Sequence, residues 1–509
     1  MNHSLFSLSL FILVPILSAI LILAAGDRRP LLVRWISLLA NFVNLVLALV
    51  LWLLGAGAPP AGSAAGLASG SASGAWLAVE SHAWIPSLGV SFTLGLDGLS
   101  LLFVILTALM GAAAVLASWK SLKRKVALFH LALALVMAGI YGVFLSVDLF
   151  LFAFMWELML IPMYFLVDVW GGPGRHKASV KFFLFSQAGG ILMFVAVVAL
   201  YVLHGRATGV YSFDYRVLLG TAFGPAAGML LMLGFFAAFA VKLPVFPLHA
   251  WLPDTYTEAP TGGSVLLAAL LSKTAGYGMI RFLLPLFPDA VRGFAPIAVW
   301  LGVAGIVYGG FMAFAQKDLK RLVSYTSVSH LGFVLVGIFT LTAQGLDGAV
   351  IQMLSHGIGT GALFVLVGWL EERSGTRDLD RLGGLWSKAP RMGAFGLVLT
   401  LGLVGLPGLG NFIGEFLVLS GSFHAYLAAT IVAGFGLVVA MVYALRMFQL
   451  SFHGSPSGAL TVSDLGAPQV LLLGVLVAAL VYLGLFPQEV LKLLATLGAS
   501  LGLTPGVMP

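Results

Sequence analysis

Cysteine is absent from this 509-residue chain, and charged residues are scarce, at 9% of the total. The lack of cysteine excludes disulfides, thiolate-held iron–sulfur clusters and cysteine-based zinc sites. Soluble domains carry roughly a quarter charged residues, so a chain that is 60% hydrophobic and so poor in charge is not a soluble enzyme. The sequence also has no GxGxxG after a strand and no metal-ligand cluster, which leaves no visible nucleotide or redox site.

Long apolar runs dominate the sequence instead. Roughly 18 apolar residues cross a hydrocarbon core of about 30 Å as a helix, and such runs recur along almost the whole chain. The sequence therefore predicts an all-α polytopic membrane protein with about 14 transmembrane helices. The predicted spans are residues 5–25, 31–54, 98–118, 126–146, 149–170, 180–203, 227–248, 262–285, 296–315, 322–343, 348–370, 393–421, 427–450 and 468–487.

The basic residues predict the orientation in the membrane. The first apolar run is followed, not preceded, by Arg28, Arg29 and Arg34, which is the reverse of a secretory signal. We therefore expect a retained first helix whose N-terminus lies outside. With that topology, 19 of the 26 Lys and Arg fall in cytoplasmic loops and five on the outer side, as the positive-inside rule requires. The prediction is a multi-pass protein of the bacterial inner (cytoplasmic) membrane with both termini periplasmic.

Four charged side chains lie near the middle of predicted spans: Glu157, Lys242, Lys273 and Glu415. An ionised group at the bilayer centre costs about 2.5 to 3.5 kcal/mol or more, so each needs a partner or water. Any one of them has an alternative interpretation as a structural ion pair or as a side chain that reaches the interface. Two acids and two bases in separate spans predict instead a series of exchangeable protons across the bundle interior.

Proline residues predict that two of these spans are broken. Lys242 is followed by Pro244 and Pro247, and Glu415 is preceded by Pro407. Proline removes a helical hydrogen bond and clashes with the preceding turn. The broken spans are the seventh and the twelfth, five apart, which favours two inverted five-helix repeats comprising spans 4–8 and 9–13. Proline kinks that serve only packing are the alternative.

The predicted organisation follows from these repeats. A Gly/Ala/Ser-rich stretch at 55–74 is interpreted as a flexible external loop. The charged loop at 371–391 carries both signs and is either a docking surface for a partner or a solvated linker. The four parts are residues 1–120 with helices 1–3, residues 121–290 with the first repeat and half-channel, residues 291–455 with the second, and residues 456–509 with helix 14 and the tail.

Three histidines extend the set of candidate proton-transfer groups: His249, His330 and His356. Histidine titrates near neutral pH and can accept and return a proton without a large driving force. A lone histidine in a membrane span is more often a hydrogen-bonded packing residue, which is the alternative for each of them. Hydroxyl side chains beside His330, in the segment YTSVSH, favour ordered water at that position.

The charges suggest a mechanism. Desolvation favours the neutral form of a buried lysine, and a nearby carboxylate favours the charged form. Our hypothesis is that the approach of Glu157 loads Lys242 with a proton and that separation releases it toward Lys273. The proton would then pass through the region of His330 to Glu415.

The segments that carry these residues resemble a known superfamily. FAFMWELMLIPMYFL, KLPVFPLHAWLPDTYTEAP, AFAQKDLKRLVSYTSVSHLGFVL and GNFIGEF are similar to the antiporter-like subunits of respiratory complex I and of related cation/proton antiporters and membrane-bound hydrogenases. The resemblance covers nearly the whole chain. It is greatest to the chain M branch, because Glu415 stands where the sibling chains L and N carry lysine.

This resemblance implies roles for the seven residues. Glu157 and Lys242 match the coupled pair, Lys273 the central relay and Glu415 the terminal group. The three remaining residues, His249, His330 and His356, match positions of the hydrated axis.

The resemblance also implies a setting for the chain. It implies a proton-translocating subunit of NADH:quinone oxidoreductase beside chains L and N, with NADH, FMN, iron–sulfur clusters and quinone bound by other subunits and no cofactor bound here. A subunit of a sodium/proton antiporter, a membrane-bound hydrogenase subunit and a structural scaffold are the alternatives. A scaffold gains nothing from four costly buried charges.

Overall fold

The structure, a computed structural model, describes residues 7–55, 76–454 and 462–503. Twelve helices in the described part are long and apolar enough to cross a membrane, and two shorter apolar helices are Leu10–Ala25 and Pro390–Val404. These helices overlap the predicted spans, and the prediction of an all-α polytopic membrane protein is confirmed. Most of the predicted loop at 55–74 lies outside the described residues.

Nineteen helices occur in the described part of the chain. They are α1 (Leu10–Ala25), α2 (Pro30–Gly55), α3 (Gly98–Ala117), α4 (Val126–Leu145), α5 (Leu149–Trp170), α6 (Arg175–Thr208), α7 (Tyr215–Leu218), α8 (Pro225–Lys242), α9 (Trp251–Glu258), α10 (Thr261–Leu286), α11 (Pro288–Phe314), α12 (Leu319–Phe339), α13 (Ala343–Ser374), α14 (Leu385–Lys388), α15 (Pro390–Val404), α16 (Gly410–Ser422), α17 (Leu427–Phe452), α18 (Ala467–Leu485) and α19 (Gln488–Ser500).

Both predicted breaks are present in the backbone. Helix α8 ends at Lys242, and a non-helical segment that contains Pro244 and Pro247 separates it from α9. Helices α15 and α16 are likewise separated by a short segment that contains Gly405 and Gly408, whose φ angles are 73° and 98°. Side chains with a Cβ rarely adopt such angles, so the second break depends on these glycines.

Aspartate caps begin two of the central helices in the same way. Asp148 accepts hydrogen bonds from the first backbone amides of α5, and Asp318 accepts one from the amide of Arg321 in α12. Asp148 also forms an isolated antiparallel bridge to Asp214, in the segment after α6. Asp318 forms the same kind of bridge to Asp378, in the segment after α13. A capping carboxylate satisfies amides that a helix start leaves free, so the same local structure occurs twice, five predicted spans apart.

A β-hairpin is the main element that the sequence did not predict. Strands β1 (Ala78–Ile85) and β2 (Val90–Leu96) pair antiparallel before α3. The alternation of polar and apolar residues in SFTLGL is typical of a strand, but the long apolar runs on either side of it indicate helices more strongly. The hairpin adds a small β element to the helical bundle without altering its class.

The charged loop at 371–391 packs against the rest of the chain. The Leu319 amide donates to the Arg377 carbonyl at 2.8 Å, and the Leu379 amide donates to the Lys317 carbonyl at 2.8 Å. The Arg377 guanidinium also pairs with the Asp318 carboxylate at 2.5 Å. The loop is thus ordered by contacts within the chain.

Candidate functional site

Lys273 lies in α10, which with α12 is one of the two most deeply buried long helices among the described residues. The helix widens into π-helical turns at Leu267–Leu271 and Met279–Leu283, on either side of Lys273. π-Helical turns are rare and occur frequently at functional sites. Lys273 Nζ contacts the first of them, because it donates to the Ala268 carbonyl at 2.5 Å.

The same ammonium contacts a histidine on a neighbouring helix. Lys273 Nζ lies 2.7 Å from Nδ1 of His356, which belongs to α13, and both residues are 0% exposed. Lys273 Nζ also donates to the Ser272 hydroxyl at 3.2 Å. A lysine and an imidazole at this distance share one hydrogen-bonded proton, so a proton can be exchanged between them.

A second hydrogen-bonded pair joins two other helices. Nδ1 of His330, in α12, is 2.9 Å from Oε1 of Glu415, in α16. The same oxygen accepts from Gln352 Nε2 at 3.1 Å, and the Tyr443 hydroxyl lies 3.2 Å from His330 Nε2. Glu415 Oε2 faces the backbone break, since a Cβ added at Gly405 would lie 2.6 Å from it.

The two pairs are adjacent. The rings of His356 and His330 have centroids 6.0 Å apart. Lys273, His356, His330 and Glu415 therefore form one buried series across four helices, which we call the relay series. Nε2 of His356 has no hydrogen-bond partner among the described residues, and no described hydrogen bond joins the Lys273–His356 pair to the His330–Glu415 pair.

The predicted Glu157–Lys242 pair is arranged differently. Lys242 ends α8 and is 1% exposed, yet its Nζ has no hydrogen-bond partner in the described part of the chain. That Nζ lies 4.5 Å from the centre of the Trp156 ring, in cation–π geometry. The charges of Glu157 and Lys242 interact electrostatically. Glu157 Oε1 lies against α6, where a Cβ added at Gly190 would be 2.4 Å away.

His249 lies in the break after α8. Its ring stacks on Phe246, with centroids 5.6 Å apart, and meets the Tyr308 ring edge-on at 4.9 Å. Its Nδ1 has no hydrogen-bond partner among the residues described. His249 is therefore close in sequence to Lys242, but no described hydrogen bond joins it to the relay series.

The structure thus brings four of the seven predicted residues into one series and leaves Glu157, Lys242 and His249 outside it. Sequence reasoning missed Gln352 and Tyr443, which contact Glu415 and His330. Gln352 stands four residues before His356 on the same face of α13, which was an available signal. Residues 7–55, 76–454 and 462–503 hold no group of three or more His, Cys, Asp or Glu arranged to bind a metal.

A polytopic helical bundle with lysine, histidine and glutamate hydrogen-bonded in its buried interior is a membrane protein of the ion-translocating class. Residues 146–440 match the family model described as "NADH:quinone oxidoreductase/Mrp antiporter, TM", and the chain belongs to this family. It is 48% identical to NADH-quinone oxidoreductase subunit M of Escherichia coli strain K12 over 466 residues, which cover 90% of each chain.

Two further comparisons agree with this assignment. Subunit M of the same enzyme from Pseudomonas aeruginosa is 46% identical over 512 residues, which cover 97% of this chain and 99% of the relative. A chain in the structure of respiratory complex I from Thermus thermophilus superposes with a TM-score of 0.85 at 31% identity, covering 97% of this chain and all of that one. The chain is therefore an antiporter-like, proton-translocating membrane subunit of NADH:quinone oxidoreductase, and the antiporter alternative is not favoured.

Proposed function

We propose that the seven residues identified from the sequence carry the translocated proton, with Lys242 as the loading group and the relay series as its route. The hydrogen-bonded sequence Lys273–His356 and His330–Glu415 is the observation that carries the proposal. Each of these groups can both bind and release a proton, and each is at most 2% exposed. Such groups persist in a membrane interior when they serve an ion or proton pathway.

Lys242 acts as the switch because it is the least constrained of the buried charges. Its ammonium is held by the Trp156 ring and by the charge of Glu157 and by no hydrogen bond among the described residues. A small movement of α5 against α8 changes the distance between these two charges and therefore the proton affinity of Lys242. Release then delivers the proton toward Lys273.

Internal water completes the route between the fixed groups. Several buried polar atoms near the two breaks have no hydrogen-bond partner among the described residues, and buried polar groups need one. They are His356 Nε2, Ser355 Oγ, Thr360 Oγ1 and Asn411 Oδ1 in the second half, and Lys242 Nζ, His249 Nδ1 and Ser186 Oγ in the first. Water at these atoms would join Lys242 to Lys273 and His356 to His330.

Two inverted repeats, at residues 121–290 and 291–455, each supply one half of the path. The repeated aspartate caps and bridges of Asp148 and Asp318 support this division, as do the two breaks five predicted spans apart. In a repeat related by a two-fold axis in the membrane plane, each break reaches the midplane from its own side.

The chain works within an assembly. We propose that it lies between chains L and N of complex I in the bacterial inner membrane, with both termini on the periplasmic side. NADH, FMN, iron–sulfur clusters and quinone belong to other subunits, so the electron-transfer reaction drives this chain through conformational or electrostatic coupling.

Replacement of Lys242 by alanine tests the proposal. In the assembled enzyme in sealed vesicles, Lys242→Ala should abolish the proton translocation that depends on this chain and leave membrane insertion and assembly intact. Lys177→Ala, which removes an exposed lysine, is the matched control and should translocate normally. Unchanged translocation in Lys242→Ala, with the variant enzyme correctly assembled, would reject the scheme.

A further inference from the structure

A basic cavity of about 660 Å³ lies at the ends of several helices, apart from the relay series. The loop between α3 and α4 contributes Lys123, Arg124 and Lys125, and the first turn of α6 contributes Arg175. The one acidic residue in its lining, Asp168, is already engaged with His176 at 3.0 Å. Two further carboxylates lie beside the lining: Glu258 contacts the backbone next to Arg175, and Glu372 interacts with Ser121 and Lys123. The four cationic side chains outnumber these three carboxylates, so the cavity attracts an anion.

The helices around the cavity add to this attraction. The first residues of α6 and α10 line it, and Lys125, directly before α4, lines it as well. A helix N-terminus carries partial positive charge and free amides, which favour negative groups. At α6 and α4 carboxylates of this chain already accept from these amides, because Glu258 accepts from Gly174 at 2.8 Å and Asp27 from Ala127 at 2.7 Å. The start of α10 has no side-chain cap among the described residues, so its amides remain for a bound anion. Ser118, also in the lining, is 3% exposed, and its hydroxyl has no hydrogen-bond partner among the described residues. A buried hydroxyl of this kind is a donor for an anionic oxygen.

The surface beside the cavity is apolar and faces outward from the bundle. Val169 lines the cavity, and Phe165 and Ile161 continue its face of α5 one and two turns away, with exposures of 37%, 50% and 51%. Trp170 also lines the cavity, and its indole donates to the Arg124 carbonyl at 2.9 Å. A tryptophan between a charged cavity and an apolar stripe is typical of the membrane–water interface.

We propose that this cavity binds the phosphate headgroup of an anionic glycerophospholipid, whose acyl chains lie along Ile161, Phe165 and Val169. The cavity recognises a phosphate group in general, but the outward apolar stripe directly beside it favours a lipid over a soluble phosphate. Basic pockets at the ends of membrane helices bind such headgroups. The inferred site is separate from the translocation route and ties the loop between α3 and α4 to α5, α6 and α10.

The test uses the assembled complex in phosphatidylcholine nanodiscs with a photoactivatable phosphatidylglycerol as the probe. Crosslinks to the peptides that span residues 118–129 and 161–175 are quantified against probe concentration, which gives the apparent affinity at this site alone. Lys123→Gln/Arg175→Gln should weaken that affinity about 30-fold, since each cation near the surface contributes about a factor of five. Both side chains are exposed, so the double variant should fold normally.

Lys120→Gln/Lys177→Gln is the matched control. It removes two exposed lysines from the same loop and the same helix turn, but neither lines the cavity. The proposal would be overturned if both double variants lost affinity equally, or if neither lost affinity. Very low crosslinking in the wild-type complex would also overturn it, because a neighbouring protein segment would then have to fill the cavity.

A competition arm separates lipid from free phosphate. Inorganic phosphate and glycerophosphoglycerol, which lacks acyl chains, should compete poorly with the probe, and Phe165→Asn should weaken the probe but not these soluble anions. If glycerophosphoglycerol binds as tightly as the lipid and Phe165→Asn has no effect, the cavity is a soluble-anion site and the lipid assignment is wrong.

Discussion

The two parts of the buried charge system, the Glu157–Lys242 pair and the relay series, differ in how their lysines are held. Lys273, in the relay series, donates to the Ala268 carbonyl and the Ser272 hydroxyl and shares a hydrogen bond with His356. Lys242, in the first group, has an aromatic ring 4.5 Å away and no hydrogen bond among the described residues. Both are almost completely buried, so burial alone does not determine their role.

This difference separates a relay from a switch. A lysine with three fixed partners has a defined proton acceptor, and its neighbours set its state. A lysine held by a ring face and by the charge of a carboxylate to which it has no hydrogen bond responds to small changes in their separation, because Coulomb energy varies strongly with distance where the dielectric is low. The backbone differs in parallel: Lys242 stands at the very end of a helix, whereas Lys273 stands inside one that continues on both sides.

Glu415→Gln tests the relay half and should have the largest effect. Glutamine keeps the size of the side chain but cannot carry the proton that His330 exchanges with it. Proton translocation should therefore fall about 100-fold, the lower end of what a general acid–base group contributes. The measurement is proton uptake per NADH oxidised in sealed vesicles. Glu489→Gln, at an exposed pair with Lys492, is the control and should be neutral. Translocation near the wild-type level would show that the relay does not end at Glu415.

The sequence predicted the charges in the middle of apolar runs more completely than their surroundings, but it did not single out Asp148, Lys320 or Arg281, which are also buried. Charge in an apolar run is costly wherever the fold places it, so Glu157, Lys242, Lys273 and Glu415 could be found without coordinates. Which helices meet is a tertiary property, and for this reason the contact of Lys273 with His356 was not predicted. The π-helical turns around Lys273 have no pattern in composition that distinguishes them from an ordinary apolar helix.

Neutral partners were missed for a related reason. Tyr443 and Trp156 look like packing residues in apolar spans, and only the structure shows that one contacts His330 and the other Lys242. The two breaks, in contrast, were predicted, because proline and glycine act on the backbone directly whatever the tertiary context.

Trp156→Leu tests the switch half. Loss of the ring removes the cation–π contact with Lys242, which at a desolvated site contributes about 2 kcal/mol, so translocation should fall about 30-fold. Leucine also leaves a cavity beside Phe152, so Phe152→Leu serves as a control that has a similar packing defect without loss of the contact to Lys242. Trp156→Phe keeps an aromatic face and should restore most of the activity. Equal losses in Trp156→Leu and Phe152→Leu would mean that packing, not the ring contact, is responsible.

Tyr443→Phe gives the smallest expected effect and refines the contrast between the halves. It removes one hydroxyl, 3.2 Å from His330 Nε2, and leaves the ring in place. A single hydrogen bond contributes about 1 kcal/mol, so translocation should slow about fivefold if Tyr443 orients His330 toward Glu415. Tyr482→Phe, at an outward-facing ring that is 41% exposed, is the control. Glu415→Gln already removes the group that accepts the proton from His330, so adding Tyr443→Phe to it should cause little further loss of translocation. Additive losses would show that Tyr443 does not act through the His330–Glu415 pair.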